Sequence, residues 1–202
     1  MKALNFNTSK LKNHLGQFLT LILLIGFGSF SNTVSAQVPF KNITGSQFKV
    51  NGTSNIHNWV MNATSFSCDG KFILKGDQLI DITALNFTLP VTNLKGKEDL
   101  LNTRAHKALK AEQFNKITFK LTNATVVPLQ KIIRANGNLT IGGVTKPVSL
   151  QTNYTVNGDE LTCKGSKDIK MSDYNIKAPS FMLGALKVAN EVTVDITLKL
   201  KN

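Results

Sequence analysis

The chain has 202 residues, 24 Lys+Arg against 12 Asp+Glu, a formal charge of +12, and 42% hydrophobic against 18% charged residues. That is too apolar and too regularly patterned for a disordered basic tail. Past residue 36 there is no further apolar run of the ~20 residues that a spanning helix needs, which excludes a helical membrane protein.

The N-terminus places Lys2, Lys10 and Lys12 before an apolar block over residues 15–30, interrupted by Gln17 and Thr20 and followed by the small residues Val34-Ser35-Ala36. A basic start, a short apolar run and a small-residue exit are the three parts of a secretory signal peptide. We therefore expect residues 1–36 to be cleaved and residues 37–202 to form one domain; the alternative is an uncleaved N-terminal anchor. The three lysines of residues 1–36, with no acid among them, take the charge of the remaining chain from +12 to +9. No cysteine precedes Cys68, so the cut is not that of a lipoprotein. The expected product is soluble and periplasmic or secreted.

Period-two alternation dominates the rest. The spacing predicts strands over 47–51 and 56–63, then over 66–74, where Phe66, Cys68, Gly70, Phe72 and Leu74 share one face. Leu85, Phe87 and Leu89 alternate before Pro90, and Ile117, Phe119 and Leu121 form a similar set. Leu139 and Ile141 lead into Gly142-Gly143, a tight hairpin whose return passes Pro147. Val148, Leu150, Thr152, Tyr154 and Val156 run to Asn157-Gly158, a second hairpin signal, and residues 160–165 make its partner. Val192, Val194, Ile196, Leu198 and Leu200 close the series. One segment departs from it. Leu100, Leu101, Ala105, Ala108 and Leu109 recur at helical spacing, with Glu98 and Asp99 at the start and Lys107 and Lys110 near the end, which predicts a helix over 98–111.

About nine short strands argue for an all-β antiparallel sandwich or barrel. An outer-membrane barrel carries two aromatic girdles and an apolar outer band. The aromatic residues here show no two belts, and Lys199 and Lys201 stand on the last strand's outer face. A soluble closed barrel fits better; eight strands leave room for packed side chains or one small ligand.

The polar residues offer little catalysis. Of the three histidines His14 lies in the expected signal segment, which leaves His57 and His106, too few for a zinc site, and no Gly-x-Ser-x-Gly elbow is present. No metal, cofactor or catalytic residue is expected. His57, beside Asn58 and Trp59, reads as a structural residue near the barrel mouth or as a contact for a ligand headgroup. Which of Ile56/Val60 and His57/Trp59/Met61 faces the core is open. Cys68 and Cys163, the only cysteines, lie on apolar registers and make a disulfide candidate in an oxidising compartment; two buried thiols too far apart to join are the alternative. Glu98-Asp99 and Asp159-Glu160 suit a helix start and a turn. Gly142-Gly143 lacks the helix and Lys-Ser/Thr of a phosphate loop. The lysines are spread over every strand, which gives no nucleic-acid footprint; they suit a solvated surface with transient attraction to anionic membranes.

Several runs resemble the YceI-like family: Thr53-Ser54-Asn55-Ile56-His57-Asn58-Trp59, Leu85-Asn86-Phe87-Thr88-Leu89-Pro90-Val91, Lys107-Ala108-Leu109-Lys110, Ile117-Thr118-Phe119, the segment from Gly137 to Val148, and Met171-Ser172-Asp173-Tyr174-Asn175-Ile176. The chain has Ala178-Pro179 where many members have two prolines. The resemblance spans roughly residues 46–200 and implies an antiparallel lipocalin-like β-barrel of about eight strands with one short helix. It also implies an exported, non-catalytic protein whose lumen takes a polyisoprenoid or similar long-chain lipid, for transport or storage. The lumen candidates on apolar registers are Trp59, Leu85, Phe87, Leu89, Phe119, Leu121, Leu139, Ile141, Leu150 and Tyr154, with His57 as headgroup candidate. The alternatives are a structural or stress-related envelope protein with a side-chain-filled barrel, and a lipid-modifying enzyme using His57. Oligomeric state is not readable from the sequence.

Overall fold

The computed structural model describes residues 37–202; the expected signal segment, residues 1–36, lies outside the described residues. Among these described residues twelve strands and one α-helix follow in order: β1 (Val38–Asn42), β2 (Gln47–Ser54), β3 (Asn58–Ala63), β4 (Ser67–Lys75), β5 (Gln78–Pro90), β6 (Leu94–Lys95), α1 (Asp99–Ala108), β7 (Lys116–Val127), β8 (Ile132–Ile141), β9 (Val144–Asn157), β10 (Glu160–Lys170), β11 (Ser180–Phe181) and β12 (Leu186–Lys201). All pairings are antiparallel, and the order β1-β4-β5-β7-β8-β9-β10-β12 closes on itself because β12 also pairs with β1, a ring of eight.

Strands β2, β3 and β6 continue strands of this ring past bends, while β11 pairs separately with β12. The Lys49↔Asn62 register of β2 with β3 continues, with one residue of slip, into Val38↔Phe72 of β1 with β4. Thus β1–β2 and β3–β4 are two long bent strands of one hairpin. Similarly β5 passes through the 3₁₀ turn Val91–Asn93 into β6, which pairs with β3. Among the described residues the fold is the expected antiparallel barrel with one helix.

Hairpin turns at one end sit at residues 76–77, 128–131 and 158–159. The other end holds the β2–β3 turn, α1, Gly142-Gly143 and the segment 171–185. Gly142 and Gly143 have φ of +55° and +81°, both positive as a two-residue type I′ turn requires. The second hairpin is displaced by one residue from the expectation. Asn157 pairs with Glu160, so the turn residues are Gly158-Asp159, with positive φ at Gly158 alone.

The turn-only end is packed solid. Phe40 and Phe72 meet edge to face at 5.1 Å, and Leu79, Tyr154, Leu161 and Leu200 are at most 1% exposed. The Tyr154 hydroxyl reaches toward the Leu79 carbonyl at 3.5 Å. Above this floor Phe48 stacks on Phe87 at 5.3 Å and Phe66 tilts against Phe87 at 5.4 Å. The outer faces are polar: Thr162, Lys164, Ser166, Asp168 and Lys170 alternate with the inward residues of β10, so this wall does not present the apolar band of a lipid-facing barrel.

Cys68 and Cys163 are both buried free thiols, so the candidate bridge is not formed in this structure. Burial pushes each thiol from its ordinary 9.0 up to about 12; for Cys68, Cys163 and Asp69 add to the effect. Burial also raises Tyr154 and Tyr174, with Cys163 and Asp173 as the lesser causes. A folded state that holds these protons more tightly than the unfolded chain keeps their full contribution below about pH 9 and loses it as pH rises toward 12. The urea midpoint should therefore fall between pH 8 and pH 10.5, and fall less in the Cys68→Ala/Cys163→Ala variant; an equal fall in both proteins contradicts this. Iodoacetamide at pH 8 should spare both thiols in the folded protein and label both after unfolding without reductant, whereas a bridged protein would take no label.

Candidate functional site

Above the floor, the inward residues stop filling the barrel. They enclose a cavity of about 550 Å3, within the ~300–1,000 Å3 of small-molecule sites. Its wall is drawn from every ring strand except β1, and from β2 and β3. Val50 comes from β2, Met61 from β3, Ile133 and Ala135 from β8, Val148 from β9, Ile169 from β10 and Val194 and Ile196 from β12.

Eight of the expected lumen residues line it: Trp59, Leu85, Phe87, Phe119, Leu121, Leu139, Ile141 and Leu150. Two expectations are corrected. Tyr154 lies on the inward register but in the packed floor, 1% exposed, two residues below the cavity wall at Thr152. Leu89 is fully buried where β5 ends and gives way to the turn Val91–Asn93; it is core, not wall.

The β2–β3 hairpin settles the ambiguity around His57. Ser54 N–H donates to the His57 carbonyl at 2.9 Å, and His57 N–H donates to Ser54 Oγ at 3.1 Å. This tight turn starts β3 in the register that sends Trp59 and Met61 inward and leaves Ile56 62% and Val60 41% exposed. His57 itself is exposed at the cavity mouth. Trp59 fits because its neighbour is glycine: a Cβ on Gly52 would stand 2.0 Å from Trp59 Cζ2. The indole N–H donates to the Thr53 carbonyl at 3.3 Å, which fixes the ring's orientation.

Helix α1 covers the mouth, slightly shorter than the expected 98–111. Leu101, Ala105 and Ala108 face the cavity, while Leu100 is 57% exposed although it also borders it. Polar contacts pin the helix on two sides. His106 Nε2 donates to the Leu94 carbonyl at 2.9 Å, and Gly96 N–H donates to Asn102 Oδ1 at 2.6 Å. On the other side the Arg104 guanidinium lies 3.7 Å above the Phe181 ring.

The wall is apolar with a few charges: Lys97, Arg104 and Lys167, against the single acid Glu98. None of the three cations is in an ion pair among the described residues; the pairs found are Lys170–Glu191, Lys199–Glu160 and Lys201–Asp159. No group of three His, Cys, Asp or Glu among the described residues stands close enough to hold a metal. The arrangement suits burial of an apolar chain, worth about 25 cal/mol per Å2 removed from water. Sequence reasoning missed Lys167 because the strand was read only to Gly165. The signal was present: Leu161, Cys163, Gly165, Lys167 and Ile169 share one parity.

The Gly52→Ala variant should displace the indole of Trp59, the protein's only tryptophan, and cost about 1–3 kcal/mol as an overpacked site. A shifted emission spectrum and a lower urea midpoint are expected; an unchanged spectrum and midpoint would refute the close approach.

The chain matches the sequence profile of the YceI-like domain over residues 28–200. Among curated proteins no sequence relative matches. The fold is similar to the crystal structure of Burkholderia cenocepacia BcnA, with 17% identity, 78% of this chain and 96% of that one covered, and a TM-score of 0.65. It is also similar to a polyisoprenoid binding domain from Saccharophagus degradans implicated in plant cell wall breakdown, at 14% identity, 82% and 99% coverage, and a TM-score of 0.64. A Campylobacter jejuni YceI protein matches at 14% identity over 70% of this chain and 84% of that one, with a TM-score of 0.58. With the profile spanning nearly all of the barrel, the chain belongs to the YceI-like family.

Proposed function

We propose that this protein binds a polyisoprenoid or a similar long-chain lipid in its barrel lumen and carries or stores it after export to the periplasm or the cell exterior. One observation carries the reading: a cavity of about 550 Å3, walled by apolar side chains and roofed by a pinned helix, inside an otherwise well-packed barrel. A barrel built only for structure fills its interior, and the lower half of this one does so. The likeness to a polyisoprenoid binding domain supports the same ligand class.

The mouth supports delivery at a membrane. Ile56, Leu100 and Leu183 are exposed at this end, beside Lys97, Arg104, Lys177 and Lys187. Apolar tips among cations suit brief contact with an anionic bilayer. Contacts hold the rim together: Asn55 N–H donates to the Lys187 carbonyl at 3.1 Å, and Val188 N–H to the Pro179 carbonyl at 3.0 Å. No step of this function needs His57 as a base.

Native mass spectrometry of the protein purified from its own cell envelope tests the proposal. A bound mass in the lipid range, displaced by added prenyl lipid, is the expected result. Protein that arrives empty and also takes up no prenyl lipid would overturn it.

A further inference from the structure

The barrel wall has a seam. The ladder between β9 and β10 runs from Asn157↔Glu160 only as far as Thr152↔Gly165, although β9 reaches back to Val144 and β10 continues to Lys170. Above that pair the two strands part. The cavity extends into the parting, because its lining there includes Gln151 and Ser166, whose parity is outward, as well as Thr152, Gly165 and Lys167. An apolar lumen thus has one polar notch in its side, distinct from the mouth under α1.

Lys167 stands at the inner lip of this notch. On the inward register of β10 it follows Leu161, Cys163 and Gly165 and precedes Ile169, so it is the one charged residue that a barrel strand contributes to the wall; Lys97, Glu98 and Arg104 come from the loop and helix of the roof. Its outward neighbours are paired. Asp168 accepts from Thr193 Oγ1 at 2.6 Å, and Lys170 lies 3.8 Å from Glu191. Lys167 has no carboxylate partner among the described residues, and its counterpart across the β10–β12 ladder is Val194. An ammonium on an apolar wall is costly unless an anion meets it. Arg104 is already engaged with the Phe181 ring.

We propose that the seam between β9 and β10 seats the headgroup of the bound amphiphile, and that this headgroup is an anion, carboxylate or phosphate, paired with Lys167. This rests on the lumen reading above and deepens it, by naming the headgroup chemistry and placing it in the wall rather than at the mouth. Thr152 and the unladdered strand edges at the notch supply further hydrogen-bonding groups to an oxyanion, while the tail lies in the lumen. If Lys167 instead only lays its stem along the wall and turns its ammonium to water, headgroup charge will not matter.

The test uses delipidated protein and three probes with C20 tails: geranylgeraniol, geranylgeranyl phosphate and phytanic acid. Binding is read from Trp59, which lines the same cavity. Wild-type protein should bind at least one anionic probe about tenfold to a hundredfold more tightly than the alcohol. The tighter of the two anions identifies phosphate or carboxylate as the partner. Lys167→Met should lose this preference while still binding the alcohol, which also reports that the variant is folded. Lys167→Arg should restore it, and Lys164→Met, on the outer face of the same strand, should leave it unchanged. Equal binding of alcohol and anions by the wild type, or a preference that survives in Lys167→Met, overturns the headgroup site and leaves the lumen reading standing. Failure to bind any probe overturns both.

Discussion

The structure depends on one closure. Strand β12 is hydrogen-bonded along one edge to β10 and along the other to β2 and, at its end, to β1. Without the second edge the ring would be an open curled sheet with two exposed strand edges. With it, every strand acquires an inside and an outside, and each alternating residue is committed to one or the other. The polar outer faces and the apolar lining are both consequences of that commitment.

Closure alone does not produce a cavity; the sizes of the inward residues do. At the floor the ring is filled by Phe40, Phe72, Tyr154, Leu79, Leu161 and Leu200, all nearly or fully buried. Higher up, small inward residues such as Val50, Ala135, Val148, Gly165 and Val194 are interspersed among the larger Trp59, Phe87 and Phe119 of the wall. The same ring is therefore solid at one end and hollow at the other. The hollow end is also the one that carries the long connections. The helix stands over it, held by His106 to the Leu94 carbonyl and by Arg104 to Phe181. A roof fastened by a few contacts on each side opens more readily than a continuous ladder, which suits the loading and release proposed for the lumen.

Much of this was legible in the sequence, because period-two alternation survives wherever the ladders are regular. The strict run from Val192 to Leu200, the Gly142-Gly143 turn and the helix with Leu101 and Ala105 all read directly. Alternation fails where bulges intervene. Leu79, Ile82 and Leu85 face inward at steps of three because the β4–β5 register shifts between Lys71 and Phe72 and again between Ile73 and Leu74, so the first half of β5 matched neither strand nor helix. The bulge between Leu121 and Asn123 concealed the far half of β7 in the same way. Parity also says inward without saying how deep, which is why Tyr154 was placed with the wall although it packs in the floor. The notch at Lys167 was hidden for another reason: a broken ladder is a relation between two strands, and no single stretch of sequence records it.

The central claim is that the upper barrel is a lumen that holds an apolar chain. The most direct measurement is a crystal structure of the protein with a prenyl alcohol carrying a terminal bromine, located by its anomalous signal. The account predicts a peak inside the ring, against wall residues such as Phe87, Phe119 and Leu139. A peak confined to the outer strand faces, or an interior found filled by its own side chains, would contradict it.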